Sequence, residues 1–133
     1  MEADVHDVNI LDRIPISKGN YYVMDKAYTD FDRLYSIHCK RAYFIVRAKG
    51  NNRYKKIAVR KTNKGTGVKY DWDVVLTWFY SSKNYPLALR RIKYYDKEFK
   101  RTFVFYTNNK KVKPETIILF YKSRWHVDFF LNG

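Results

Sequence analysis

The sequence lacks several features that would each indicate a particular class of protein. It contains one cysteine, Cys39, so an internal disulfide is excluded and a reducing cytoplasm is favoured. No apolar run approaches the ~20 residues of a membrane-spanning helix, and no signal peptide opens the chain. There is also no Walker-type glycine loop, zinc-ligand spacing or Ser-His-Asp order. We therefore expect a cytoplasmic protein without a membrane partner.

Acidic residues are missing from a long central stretch. Between Arg33 and Tyr70 there is no Asp or Glu, although the stretch contains twelve Lys and Arg residues. Over the whole chain 27 Lys and Arg face 13 Asp and Glu, which gives a net charge of +14 at pH 7. Basic residues interleaved with Tyr and Phe favour a polyanionic partner, above all nucleic acid. The alternative is a solvated basic surface that serves only solubility.

Length and composition indicate one folded domain. The chain has 133 residues, of which 46% are hydrophobic and 19% aromatic, and this content is well above that of disordered chains. No internal repeat, low-complexity tract or linker interrupts it.

The first 50 residues alternate between helical and strand patterns. Residues 7–14 predict a short helix, and 21–24 form a short apolar strand that ends before Asp25. Apolar residues recur with helical spacing over 30–41, whereas 42–48 form a continuous apolar run typical of a buried strand. This order predicts an α/β fold with a parallel sheet.

Four β-rich runs follow, without helices between them. They cover 54–62, 68–80, 87–95 and 99–107 and are separated by turn signals, which predicts an antiparallel meander. Pro114 suits the first turn of a closing helix over 116–131.

Two carboxylates are candidates for catalysis. Asp25 follows an apolar strand, and α/β proteins place their sites at the carboxyl ends of strands, although a turn or capping role is the alternative. In the closing helix, Tyr121, Arg124 and Asp128 have the spacing i, i+3, i+7 and share one face, where they could hold a phosphate and a metal ion together. The alternative for Asp128 is an ion pair with Arg124, worth about 0.2–0.5 kcal/mol.

These motifs resemble the signatures of bacterial insertion-sequence transposases of the DDE class, in the insertion-sequence-four-like branch that carries a β-rich insertion. Tyr121-Lys-Ser-Arg124-Trp-His-Val-Asp128 is similar to the family's closing motif, which reads Tyr, two residues, Arg, three residues, Glu, six residues, Lys. Asp25-Lys-Ala-Tyr-Thr-Asp30-Phe resembles the second-aspartate motif, and Thr107-Asn-Asn109 also stands in family order.

The resemblance implies a partial RNase H-like catalytic domain over residues 1–133. Residues 1–50 would form the RNase H-like part, 51–109 the β-rich insertion between the second and third acids, and 110–133 the C-terminal catalytic helix. Asp25 and Asp128 would be catalytic residues and ligands of Mg²⁺ or Mn²⁺, which act in pairs on phosphoryl transfer. The residues that bind DNA would be Tyr121, Arg124, Lys122 and Lys26, and the partners would be the transposon ends and the target DNA. The intact parent protein would act as a homodimer.

The sequence departs from the family pattern in three places. The first acid of the family belongs to an upstream strand, and neither Asp4 nor Asp7 replaces it. Asp128 stands where the family has Glu and is roughly 1.5 Å shorter. The Lys that follows the family's Glu has no counterpart. We therefore expect a truncated fragment that is inactive alone, from a parent that cuts and joins DNA.

Two alternatives to this interpretation remain. One is a catalytically dead, basic DNA-binding remnant, and the weaker one is an RNA-binding domain of unrelated ancestry. For Trp72 and Trp78 we expect packing rather than base stacking.

Overall fold

The fold is a mixed α/β arrangement built on one six-stranded sheet. It is given by a computed structural model that describes residues 18–24, 31–48, 53–63, 65–77, 83 and 85–132, with side chains of the last helix as far as Ser123. In this part of the chain the elements are β1 (Tyr21–Met24), α1 (Phe31–Cys39), β2 (Tyr43–Arg47), β3 (Tyr54–Val59), β4 (Val68–Leu76), β5 (Leu89–Asp96), β6 (Arg101–Thr107) and α2 (Pro114–Asn132). The helix predicted over 7–14 lies outside the described residues.

The strands lie in the order β1-β2-β6-β5-β4-β3. β1 and β2 are parallel, as the alternating pattern of the first 50 residues predicts. The strands β3 to β6 pair antiparallel in sequence order, so the predicted meander is confirmed. In addition β2 pairs antiparallel with β6, with Val46 opposite Tyr106, and this pairing joins the meander and the parallel strands into one sheet.

Helix α1 covers one face of this sheet. Its buried residues Phe31, Leu34 and Ile37 have helical spacing and pack against alternate residues of β2, Phe44 and Val46. The helix ends two residues earlier than predicted, because a following residue turns the chain back toward β2. That residue, at position 41, has a φ of 60°, the left-handed conformation typical of helix ends.

Helix α2 covers the opposite face. It begins at Pro114, where a missing N–H costs no hydrogen bond. Its residues Ile117, Ile118 and Tyr121 pack in a second core with Ile45 of β2 and with residues of β5 and β6. Because β2 is buried on both faces, its sequence is a continuous apolar run rather than an alternating one.

The sheet has an exposed edge at β3. Ile57 and Val59 are 52% and 67% exposed, and the pairing with β4 shifts between Lys56 and Ala58. A bulge that directly follows Lys55 and Lys56 opposes further strand pairing at this edge. No helix among the described residues is long and apolar enough to cross a membrane.

Candidate active site

The two elements that lead to the predicted acids, β1 and α2, run toward the same end of the sheet. β1 is parallel to β2, and β2 is antiparallel to β6, so β1 runs toward the end of the sheet where β6 begins. Its last residue, Met24, is paired with Val46 and lies level with Tyr106, near the end of β6. Helix α2 runs toward the same end, since Tyr121 contacts Phe103 near the start of β6 and Lys122 pairs with Asp96 at the end of β5. We call this region the candidate catalytic end.

The structure describes only some of the predicted site residues. Asp25 and Lys26 follow β1 directly and lie outside the described residues. Arg124 and Asp128 lie in α2, but their side chains are also outside the described part. Among the residues that the structure does describe, no group of three or more His, Cys, Asp or Glu side chains could hold a metal ion.

Tyr121 is a buried residue of the α2 core. Its side chain is 1% exposed, and its ring centroid lies 4.8 Å from that of Phe105 and 6.3 Å from that of Phe103. A ring at this depth stabilises the core by contact with other rings. The burial of Tyr121 favours a packing role over direct contact with DNA. Because Tyr121 packs in this core, its face of α2 is the one that turns toward the sheet.

Lys122 connects α2 to the end of β5. Its Nζ lies 2.5 Å from Oδ2 of Asp96 and donates to the hydroxyl of Tyr94 at 3.1 Å. Burial by itself would raise the pKa of Asp96, but hydrogen bonds from Lys122 and from the Phe99 amide lower it below its ordinary value. Burial likewise opposes the charge of Lys122, yet its bonds to Asp96 and Tyr94 raise its pKa. Lys122 is therefore engaged within the protein.

Lys122→Met is expected to lower the free energy of unfolding by about 1–2 kcal/mol at pH 7, because a buried carboxylate loses a charged donor. The lowered pKa of Asp96 means that this stabilisation is present above its unfolded pKa, about 3.9, and is lost as the pH falls through the folded value. Urea unfolding at pH 7 and near pH 2 should show the difference between wild type and variant shrinking in acid. An equal difference at both pH values would contradict the role of the pair.

A loop at the opposite end of the sheet connects β6 to α2; we call residues 108–113 the junction loop. Its first residue, Asn108, accepts from the Phe44 amide through Oδ1 at 2.9 Å, and its Nδ2 donates to the Ala42 carbonyl at 2.9 Å. The same Nδ2 donates to Nδ1 of His38 at 3.1 Å. Burial, and then the charge of Lys110, lower the pKa of His38, which favours the neutral ring that can accept this hydrogen bond. Asn108 thus ties the loop to β2 and α1.

The next residue, Asn109, binds both within the loop and to β1. Its Oδ1 accepts from the amides of Lys111 at 2.9 Å and Val112 at 3.2 Å. Its Nδ2 donates to the hydroxyl of Tyr21, the first residue of β1. The ring of Tyr21 also contacts Phe120 of α2, with centroids 4.7 Å apart. Two asparagines after a strand predict a turn, but nothing in their spacing indicates these long-range bonds.

A buried ion pair of the sheet also holds the junction loop. Nε and Nη2 of Arg90 donate to the two carboxylate oxygens of Asp71, at 2.8 and 2.6 Å. The remaining Nη1 donates to the carbonyls of Asn109 at 3.0 Å and Val112 at 2.7 Å. The two charged side chains are only 2% and 1% exposed, so each depends on the other for compensation of its charge.

A second, more exposed pair repeats this arrangement. Nε of Arg60 donates to Asp73 at 3.0 Å, and its Nη1 donates to the Lys110 carbonyl at 2.9 Å. These side chains are 26% and 20% exposed. Both aspartates belong to β4, so the two arginines connect that strand to three carbonyls of the junction loop.

Basic and aromatic side chains alternate on the α1 face of the meander. Trp72 stacks on Tyr70 with ring centroids 3.6 Å apart, and the Lys56 Nζ lies 4.5 Å from the Trp72 centroid. Arg91 donates to the Tyr70 hydroxyl at 2.9 Å. The ring of Trp72 is already in contact with Tyr70 and Lys56. These contacts favour a packing role for Trp72 over base stacking. Trp78 lies outside the described residues.

Comparison with known proteins identifies the family. The family model described as "Transposase DDE domain" matches residues 2–127, and the chain therefore belongs to this family. It is 30% identical over 137 residues to "Putative transposase y4zB" of Sinorhizobium fredii (strain NBRC 101917 / NGR234), a match that covers 98% of this chain and 37% of that relative. The chain thus spans little more than a third of the length of this curated relative. No solved structure matches it.

Proposed function

We propose that this chain is the part of a DNA transposase catalytic domain that supplies the second and third acids of the active centre. The observation that carries the proposal is that β1, which precedes Asp25, and α2, which contains Asp128, run toward the same end of the sheet. Membership of the transposase family supplies the reaction class. The whole protein would cut and join transposon and target DNA, with a homodimer as its assembled form.

The finer fold assignment, a partial RNase H-like domain, belongs to the same proposal. It is supported by the parallel pair β1–β2 joined through α1 and by a final helix packed on the other face of the sheet. The meander β3–β6 stands between the two candidate acids, where a β-rich insertion would stand. Through the pairing of β2 with β6 it extends the sheet of the parallel strands.

The donor chemistry fits a divalent metal ion. Asp25 and Asp128 offer carboxylate oxygens, the ligands that Mg²⁺ prefers, and either acid could be joined by acids from other parts of the whole protein. Bound Mg²⁺ or Mn²⁺ would polarise a phosphate and increase the acidity of an attacking water or 3′-hydroxyl. The helical period puts position 128 on the same face as Tyr121, about 10 Å further along the axis of α2.

We assign contact with the DNA phosphates to Arg124 and Lys26 rather than to Tyr121 and Lys122. The planar guanidinium of Arg124 can meet two phosphate oxygens at once. Tyr121 instead fixes the helix face, and Lys122 is held by Asp96 and Tyr94.

A second candidate function is DNA binding without catalysis. It is favoured by three lysines of the meander, at positions 56, 69 and 93, which lie over aromatic rings. None of them forms an ion pair with an acid in the described part of the chain. Such a basic surface can neutralise phosphates whether or not the acids bind a metal ion.

The experiment is a salt series of duplex DNA binding by the 133-residue chain, with Mg²⁺ present. We expect DNA binding that weakens steeply as the salt concentration rises. We expect no cleavage, because the family's first catalytic acid has no counterpart in this sequence. Arg124→Gln should weaken binding about three- to tenfold. It should also reduce the slope of log affinity against log salt concentration by about one, which corresponds to the loss of one phosphate contact. Lys122→Gln is the matched control, since its charge is engaged by Asp96, and it should leave the slope unchanged.

The outcomes separate the candidates. Binding without salt dependence, or a preference for RNA, would contradict a DNA-directed function. Metal-dependent cleavage by this chain would contradict the requirement for a further acid. An equal effect of the two substitutions would contradict the assignment of the phosphate contact to Arg124.

A further inference from the structure

The two faces of the meander differ in how their charges are compensated. All the acids of the six strands lie on the α2 face, and each of them is paired with a lysine or an arginine. These acids are Asp71, Asp73 and Asp96. On the opposite, α1 face lie Lys56, Arg91 and Lys93, which we call the basic triad. In the described part of the chain no carboxylate lies within ion-pair distance of the triad.

The register of the strands places the basic triad on one surface. Lys56 lies opposite Val74, which belongs to the core under α1. Arg91 donates to Tyr106, a residue of the same core. Because Lys93 follows Arg91 by two residues on β5, their side chains leave the same face of the sheet about 7 Å apart.

Arg91 is a buried cation without a counter-charge. The residue is only 5% exposed, and its Nε and Nη1 donate to the hydroxyls of Tyr70 at 2.9 Å and Tyr106 at 2.6 Å. Burial raises the pKa of both tyrosines, so these hydroxyls are neutral at pH 7. The ring of Tyr54, whose centroid lies 4.2 Å from the guanidinium carbon, attracts the cation and does not neutralise it.

The preceding residue, Arg90, shows the contrast. Its guanidinium points to the other face and is held by both carboxylate oxygens of Asp71. The Nη2 of Arg91, in comparison, has no hydrogen bond in the described part of the chain, and it is not a fully buried atom. A buried charge costs stability unless an opposite charge compensates it. Arg91 therefore has one donor left that an anion outside the chain could reach.

The surroundings of Arg91 fit the phosphates of a nucleic acid better than its bases. Lys56 is exposed and Lys93 is half-buried, so both amines can reach an anion beside Arg91. The nearest large rings, Tyr70 and Trp72, stack on each other at an angle of 7°, and Lys56 lies over Trp72. Rings that are engaged in this way are poor platforms for base stacking, whereas three cations can neutralise phosphates.

We propose that the α1 face of the meander is a second DNA-binding surface, on which Arg91 holds a backbone phosphate of duplex DNA while Lys56 and Lys93 contact neighbouring phosphates. This inference rests on the proposed function, in which the chain acts on DNA. It adds a surface that is separate from the contacts assigned to Arg124 and Lys26.

The test is binding of a short fluorescent DNA duplex by the 133-residue chain, measured by anisotropy over a salt series. Lys56→Gln and Lys93→Gln should each weaken binding about three- to tenfold and reduce the slope of log affinity against log salt concentration by about one. Lys55→Gln is the matched control. Lys55 is equally exposed and adjacent on β3, but it lies opposite Val75 on the other face of the sheet, so both quantities should stay unchanged.

Arg91→Met separates anion binding from a structural role. This substitution leaves no carboxylate without a partner, so the urea midpoint should fall much less than in Arg90→Met. DNA binding should nevertheless weaken at least as much as in the lysine variants. A midpoint that falls as far as in Arg90→Met would overturn the assignment of Arg91 to a phosphate.

Acetylation of amines in the wild-type chain gives a measurement without any substitution. Bound duplex should protect Lys56 and Lys93 from the reagent and leave Lys55 reactive, as located by mass spectrometry. This pattern, together with loss of affinity confined to the α1-face variants, supports the inference.

Three results would overturn it. Equal effects of Lys55→Gln and Lys56→Gln, or equal protection of the two amines, would remove the surface and leave the proposed function, tested at Arg124, intact. Tighter binding of an RNA duplex of the same sequence would contradict the assignment to DNA. Absence of any salt-dependent duplex binding by wild type would overturn the proposed function and this inference with it.

Discussion

Arg90→Met is expected to lower the free energy of unfolding by about 3–5 kcal/mol, because it leaves the buried carboxylate of Asp71 without its partner. The carbonyls of Asn109 and Val112 lose a charged donor at the same time. Domains of this size have a total stability of about 5–15 kcal/mol, so the loss is a large part of it. Urea unfolding followed by circular dichroism measures the change.

Arg60→Met is the matched control for this prediction. It removes the same kind of ion pair, with Asp73, and the same kind of bond to a junction-loop carbonyl. Because those side chains are partly exposed, water replaces the lost contacts and the expected loss is at most about 1 kcal/mol. Similar losses in the two variants would contradict the claim that burial gives the Arg90 pair its importance.

Asp25→Asn and Asp128→Asn are each expected to weaken divalent metal binding by more than about 100-fold. Changes outside the ligand shell already cost about ten- to a hundredfold, and a missing ligand should cost more. Calorimetric titration with Mn²⁺ measures the affinity. Neither substitution should change the unfolding midpoint by more than a surface substitution does.

Two further variants define the specificity of this prediction. Asp32→Asn removes an exposed acid from the first turn of α1 and should leave metal affinity unchanged. Asp128→Glu restores the family's residue and should retain or strengthen binding, because the longer side chain reaches roughly 1.5 Å further. Loss of affinity in the Asp32 variant would show that the ion binds to the general acidity of the chain.

The elements of the fold could be predicted because each has a local signal. Pro114 indicates a helix start, and the buried apolar run around Ile45 indicates a strand covered on both faces. The pairing of β2 with β6 has no local signal, since Val46 and Tyr106 meet only after the whole meander has folded. For the same reason the sequence contains no sign that the meander would extend the parallel strands.

The sequence predicts the helix that carries the candidate site, but it does not indicate which members of the motif are buried. The spacing of Tyr121, Arg124 and Asp128 correctly indicates a helix. The face that these residues share looks functional in the sequence, but in the structure Tyr121 on this face is buried in the core. In the sequence alone, nothing distinguishes Arg90 from the other basic residues of this very basic chain. Its burial and its bonds to the junction loop depend on the register of β4 against β5, which residue types alone do not specify.

The central claim, that Asp25 and Asp128 belong to one metal centre, is tested most directly by Fe²⁺-directed backbone cleavage of the chain. Iron bound in place of Mg²⁺ reduces added hydrogen peroxide to hydroxyl radicals that cut the nearest backbone, ascorbate returns the iron to Fe²⁺, and the fragments are located by mass spectrometry. We predict cuts beside both positions 25 and 128, suppressed together by excess Mg²⁺ and by either Asp→Asn substitution. Cuts at only one of the two positions, or cuts that Mg²⁺ does not suppress, would contradict the claim.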